Sequence, residues 1–149
     1  LVIATAGRWK KGPERDLFEH FAKRITYPLE LREIEEKKKL KPAALKAREA
    51  ELLLAQVSAG AVIVALHEGG KTLSSTAFAA KLGNWRDQAR DVAFLIGGAD
   101  GLDDAVIKRA DWVMGLGTMT WPHLLVRGML TEQIYRAQCI LAGHPYHRE

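Results

Sequence analysis

A chain of 149 residues with 48% hydrophobic and 27% charged residues has the length and composition of one ordinary globular domain, which excludes a disordered or fibrous chain. Its single cysteine, Cys139, excludes a disulfide framework and a cysteine-cluster zinc site. It suits a reducing compartment, so a cytoplasmic location is expected. A formal charge of +4 permits a polyanionic partner without requiring one, and no apolar run approaches the roughly 20 residues of a membrane span.

Residues 1–6 (LVIATA) are a short apolar run stopped by Gly7, which predicts a buried strand; the opening octet is too short for a secretory signal. Pro13 stands at a helix start, and Leu17, Phe18, Phe21 and Ile25 recur at helical spacing, which predicts a helix over 13–24. In 29–35, Leu29, Leu31 and Ile34 alternate with charge, as in a strand with one wet face. Pro42 opens an Ala/Leu/Glu-rich helix to Ser58. Residues 61–66 (AVIVAL) read as a central strand, followed by a turn over 67–71 on Gly69 and Gly70. Ser74 or Ser75 caps a helix to about Gln88. A second central strand, 91–96, ends at Gly97 and Gly98. A short helix over 103–110 and a fifth strand over 112–116 follow, and Pro122 opens a long helix to Ala142 with a tail behind it. Strands alternating with helices predict an α/β fold, a parallel sheet with helices on both faces in a single domain spanning 1–149.

The charge is divided along the chain. Residues 1–60 hold 13 Lys/Arg against 9 Asp/Glu, whereas residues 61–149 hold 9 of each. The excess shows at Arg8, Lys10 and Lys11 and at Lys37, Lys38, Lys39 and Lys41. A solvated loop accounts for such a cluster, and so does a rim that meets a polyanion. Ligands of open α/β sheets sit at the carboxyl ends of the strands. Three such ends carry the motif-like residues: Leu66, the run Gly97-Gly98-Ala99-Asp100-Gly101, and the run Leu116-Gly117-Thr118-Met119-Thr120-Trp121. Glycines there let backbone approach a ligand, and Leu66, Met119 and Trp121 supply apolar walls. Any one loop is explained by chain turning; three at one edge point to a pocket.

Two motifs are decoys. GGKT (69–72) lacks the earlier glycine of a phosphate-binding loop, because position 65 is Ala65. GGADG lacks the spacing of a dinucleotide fingerprint. His123, His144 and His147 do not have the spacing of a zinc site, so no metal is expected. His123 at a helix start serves either as a base or as a backbone partner. In the tail, Tyr146 could stack on a base and Arg148 could grip phosphate. The apolar positions Leu125, Met129, Ile134, Ile140 and Leu141 belong either to the core or to a dimer surface; periodicity leaves both open.

The segments LIGGADGL (95–102), TMTWPHLLVRGML (118–130), EQIYRA (132–137) and HPYHRE (144–149) resemble the RlmH family of SPOUT-class methyltransferases. The likeness spans nearly the whole chain. It implies a trefoil knot over roughly 90–149, an exception to the rule that chains do not thread loops. It also implies S-adenosylmethionine as cofactor, held by Leu66, Gly97, Gly98 and the stretch Leu116, Gly117, Thr118, Met119, Thr120 and Trp121. The expected reaction is methylation of N3 of a pseudouridine in 23S rRNA of assembled ribosomes, by a homodimer. The candidates for the ring proton are His123, His147, or solvent with Arg148 or Arg136 stabilising the anion. Arg136, Tyr146, His147 and Arg148, with Lys37, Lys38 and Lys39, are the candidate RNA contacts. The competing readings are a non-catalytic RNA- or ribosome-binding protein of the same fold and a flavodoxin-like nucleotide binder.

Overall fold

Successive strand residues fall into two hydrophobic clusters, one on each face of the sheet. The computed structural model describes residues 1–148. Strands β1 (Val2–Ala6), β2 (Glu30–Ile34), β3 (Val62–Lys71), β4 (Val92–Ile96) and β5 (Trp112–Met114) form one sheet in the order β2-β1-β4-β3-β5. Every pairing is parallel. Successive strand residues face opposite sides. Ile3, Val62, Val64, Val92, Phe94 and Ile96 therefore share one face, where they pack with Phe18, Phe78, Leu82, Leu130 and Ile134. Ala4, Ala6, Ile34, Ile63, Ala65, Ala93 and Leu95 share the other, with Ala50, Leu53 and Val106. All five residues of β4 are buried, as its uniformly apolar sequence requires of a central strand.

Helices cover both faces. Helices α1 (Pro13–Ala22), α3 (Ser75–Asp87) and α5 (His123–Leu141) lie on the first face. Helices α2 (Pro42–Leu54) and α4 (Asp104–Arg109) lie on the other face, which carries the strand alanines. Local chemistry starts several of these helices. Pro13 and Pro42 occupy first-turn positions, and the side chains of Ser74 and Asp103 accept from the backbone N–H groups of Ala77 and Ala105. Gly143, with φ +68°, ends α5, and the His144 N–H donates back to the Cys139 carbonyl at 2.9 Å.

Three boundaries depart from the expectation. The predicted turn over 67–71 is instead the irregular end of β3: Leu66 and Lys71 both pair with Met114, so residues between them bulge out of the ladder. The predicted fifth strand stops at Met114 rather than 116, because Gly115 is already packed against the Gly70 backbone. Helix α2 ends at Leu54, four residues short of Ser58. Helix α5 buries Ile134, leaves Leu125, Met129 and Ile140 half-buried and leaves Leu141 exposed. Its innermost line instead runs through Arg127, Leu130, Thr131 and Ile134.

Candidate functional site

All five strands point the same way, so their carboxyl ends share one edge. The ends of β3, β4 and β5 enclose a cavity of about 710 Å3 there, within the roughly 300–1,000 Å3 of small-molecule sites. Its wall includes Leu66, Gly97, Gly98, Leu116, Gly117, Met119, Thr120 and Trp121. Thr118, in the same loop, is not part of the wall.

Close backbone approach shapes this cradle. A Cβ on Gly97 would lie 2.5 Å from the Gly101 carbonyl carbon, so only glycine fits. The loop folds on itself through a hydrogen bond from the Gly101 N–H to the Gly98 carbonyl at 3.0 Å. At the end of β3, a Cβ on Gly70 would lie 2.5 Å from the Met114 carbonyl carbon. The 116–121 loop is held by its own residues. Thr120 Oγ1 donates to Glu68 Oε2 at 2.6 Å, and Trp121 Nε1 donates to the Leu116 carbonyl at 3.3 Å. Met119 is 70% exposed and Trp121 38% exposed, although both line the cavity. They offer apolar surface that a flat ligand would cover.

His123 is the first residue of α5 and lines the cavity. Burial first, and the Arg127 charge second, lower its pKa from the usual imidazole value. Its ring is therefore neutral at neutral pH and keeps an acceptor nitrogen. Arg127, one turn on, is completely buried. Its Nη2 donates to the Ala6 carbonyl at 2.7 Å and the Gly7 carbonyl at 3.0 Å. Its guanidinium stands 4.7 Å from the Trp9 ring centroid, and Nη1 lies 3.6 Å from Glu33 Oε1. Burial lowers its pKa to about 10 against the opposing pull of Glu33, which leaves it charged at neutral pH. This arginine ties the start of α5 to the end of β1. Sequence reasoning met it only within the TMTWPHLLVRGML segment and gave it no role, since an arginine inside a helix normally reads as solvated.

The tail is placed elsewhere. Tyr146 Oη donates to Glu132 Oε1 at 2.9 Å, and its ring meets Tyr135 edge-on at 4.8 Å between centroids. The Arg136 guanidinium lies 4.8 Å from the Tyr146 ring centroid, and its Nη1 is 3.1 Å from His147 Nδ1. The tail thus folds onto the second half of α5 instead of trailing in solvent. At about 1.5 Å of rise per residue, Arg136 is about 20 Å along α5 from His123. Within one chain, then, His147 is not brought to the cavity beside His123. Arg148 is exposed. Lys37, Lys38 and Lys39 are exposed on the connection after β2, at the same edge as the cavity but beside a different strand. The sequence also passed over the charged residues of the cavity wall, Lys46, Glu68 and Asp100. Asp100 stood inside the Gly97–Gly101 run but was given no role of its own, and Lys46 and Glu68 lie outside the motif runs.

No group of three or more His, Cys, Asp or Glu side chains capable of holding a metal occurs among the described residues. No helix among them is long and apolar enough to cross a membrane.

Known proteins share this sequence and architecture. The chain is 58% identical to ribosomal RNA large subunit methyltransferase H of Rhodospirillum centenum, with 99% of this chain and 98% of that one aligned. It is 56% identical to the protein of the same name from Paramagnetospirillum magneticum, at the same coverage. Among solved structures, a putative methylase family protein from Neisseria gonorrhoeae superposes with a TM-score of 0.54 at 11% identity, covering 98% of this chain and 94% of that one. The SpoU methyltransferase AviRb of Streptomyces viridochromogenes, solved with AdoMet, gives 0.50 at 12% identity, covering 93% and 57%. These two likenesses concern the fold. A family model described as predicted SPOUT methyltransferase matches residues 1–147, and with relatives this similar along its whole length, the chain belongs to the SPOUT methyltransferase family.

Proposed function

We propose that this protein is an S-adenosylmethionine-dependent methyltransferase of large-subunit ribosomal RNA, with N3 of a pseudouridine in 23S rRNA of assembled ribosomes as the acceptor. The observation that carries the reading is the cavity at the ends of β3, β4 and β5, where glycine backbone and exposed apolar side chains stand ready for a flat cofactor. The names of its full-length relatives supply the substrate class.

Leu66, Gly97, Gly98 and the stretch 116–121 are the residues to hold the cofactor. The donor set suits an adenine: loop backbone for its edges, with Met119 and Trp121 for its faces. The bound cofactor supplies a methyl group on a sulfonium, which departs as a thioether. The rest is positioning. Tight loops fix the cofactor, and the acceptor ring must meet it in line at near contact, which is where most of the rate originates. His123, neutral and at the cavity wall, takes the ring proton.

The working form is a homodimer. Leu125, Met129, Glu132 and Arg136 recur at spacings of four, three and four and so lie along one line of α5. The two apolar members are half-buried, and the line runs into the Tyr146 and His147 cluster. Pairing along it covers the apolar residues and carries one copy's tail toward the other's cavity. His147 and Arg148 then act on the neighbouring site, which answers their separation from His123 within one chain. The knot over roughly 90–149 and a cytoplasmic location belong to the same reading.

The decisive experiment incubates the protein with labelled S-adenosylmethionine and ribosomes from cells lacking the enzyme, then maps the modified nucleotide. Label at a 23S rRNA pseudouridine is expected; cofactor binding without transfer would favour the non-catalytic RNA-binding reading. Removing residues 144–149 is expected to abolish transfer while cofactor affinity, read by calorimetry, holds. Full activity in that shortened chain would exclude the tail from the site.

A further inference from the structure

Helix α2 brings charged side chains to the cavity and to the glycine loop beside it. Lys46 and Glu49 stand one turn apart on α2, both half-buried. Lys46 lines the cavity directly. The Glu49 carboxylate presses against the glycine loop: a Cβ on Gly98 would lie 3.3 Å from each of its oxygens. A side chain at 98 would crowd that carboxylate.

Among the described residues this carboxylate has no cation. Arg48, its neighbour in sequence, is engaged with Glu36 at 3.1 Å and with Glu51 at 2.6 Å. The influences on Glu49 are burial and then the nearby negative charge of Asp100, and both push its pKa up. A partly desolvated carboxylate beside another one is an unfavourable arrangement until a positive group arrives. Lys46 sits one turn away, yet no ion pair joins the two. Residues three apart on a helix are separated by about 5–6 Å between Cβ atoms. A small group carrying an ammonium and a carboxylate on one carbon can engage both at once.

We propose that Lys46 and Glu49 form the subsite for the amino-acid end of the cofactor, the Lys46 ammonium receiving its carboxylate and the Glu49 carboxylate receiving its α-ammonium. The inference deepens the cofactor reading given above and rests on it. It divides recognition between two sources: the glycine loops read the nucleoside, and α2 reads the amino acid.

Two thioethers separate these contributions. S-adenosylhomocysteine carries both the nucleoside and the amino-acid end, whereas 5′-methylthioadenosine carries only the nucleoside. Calorimetry on the intact protein is expected to show about tenfold weaker binding of S-adenosylhomocysteine to both Glu49→Gln and Lys46→Met, with 5′-methylthioadenosine bound as by the unaltered chain. Retained nucleoside binding also certifies that each variant is folded. Undiminished S-adenosylhomocysteine affinity in both variants, or an equal loss for both compounds, overturns the subsite. Binding of neither compound by the unaltered protein overturns instead the cofactor reading beneath it.

Discussion

Beyond β2 and β1 the connections carry Arg8, Lys10, Lys11 and Lys37–Lys39; beyond β4, β3 and β5 they carry glycines, apolar side chains and a cavity. Both groups of loops stand on one sheet edge, because every strand runs the same way. The division of charge along the sequence therefore becomes a division in space. Long, solvated side chains need no close backbone approach, so the basic half tolerates ordinary loops. The cavity half depends on contacts such as the 2.5 Å approach at Gly97, which no other residue allows. The comparison teaches that one half is specified by side-chain charge and the other by the lack of side chains.

Reversing the charge of Lys37, Lys38 and Lys39 to Glu should give the largest separation of the halves. Methylation of ribosomes is expected to drop more than about a hundredfold at physiological salt, and the salt dependence of binding to flatten by about three in log–log slope. Cofactor affinity by calorimetry should not move; ribosome binding that survives the reversal would break the assignment of this half to RNA. Gly97→Val is the complementary change. Overpacking against the Gly101 backbone costs about 1–3 kcal/mol, read as a ten- to hundredfold loss of cofactor affinity while ribosome binding holds.

Arg127 is the link between the halves, since it anchors α5 to the carbonyls at the end of β1. Arg127→Met should lower stability by about 2 kcal/mol through the loss of charge-assisted hydrogen bonds, visible as a lower denaturation midpoint; an unchanged midpoint would show the halves to be independent. The smallest effect concerns His123. Its pKa lies below the usual 6.5 when folded, so the native state takes up a proton less readily than the unfolded chain. Its contribution to stability is thus present above pH 6.5 and declines as pH falls through 6.5 toward the lowered value. The methylation rate should likewise stay level as pH falls past 6.5 and drop only below it, a change of less than about threefold near neutrality. Arg127→Met should shift that drop upward, toward 6.5.

Much of this arrangement was legible in the sequence. The runs 61–66 and 91–96 announced central strands because uniform apolarity has few other uses in so short a stretch, and β3 and β4 do pair at the middle of the sheet. The glycine loops announced a pocket by their position after strands. What stayed hidden depends on partners far away in the chain. The end of β3 is fixed by its return to Met114, which no local pattern records. Arg127 is buried because Ala6, Gly7 and Glu33 wait for it, and Lys46 and Glu49 matter only because α2 packs beside Gly98. The sequence left the order of the tail open; Tyr135, Glu132 and Arg136 hold it.

The clamp made by Arg127 also bears on how the chain is born. It joins groups 121 and 120 positions apart, and Gln138 reaches back 112 and 114 positions to Thr26 and Arg24. Closing a loop of that length costs about 2 kcal/mol more than closing one of ten residues. During synthesis the first strand and helix emerge long before the helix that fastens them. The nascent protein must carry its opening third unsecured until its closing helix is free, so it gains its native core late and in one concerted stage.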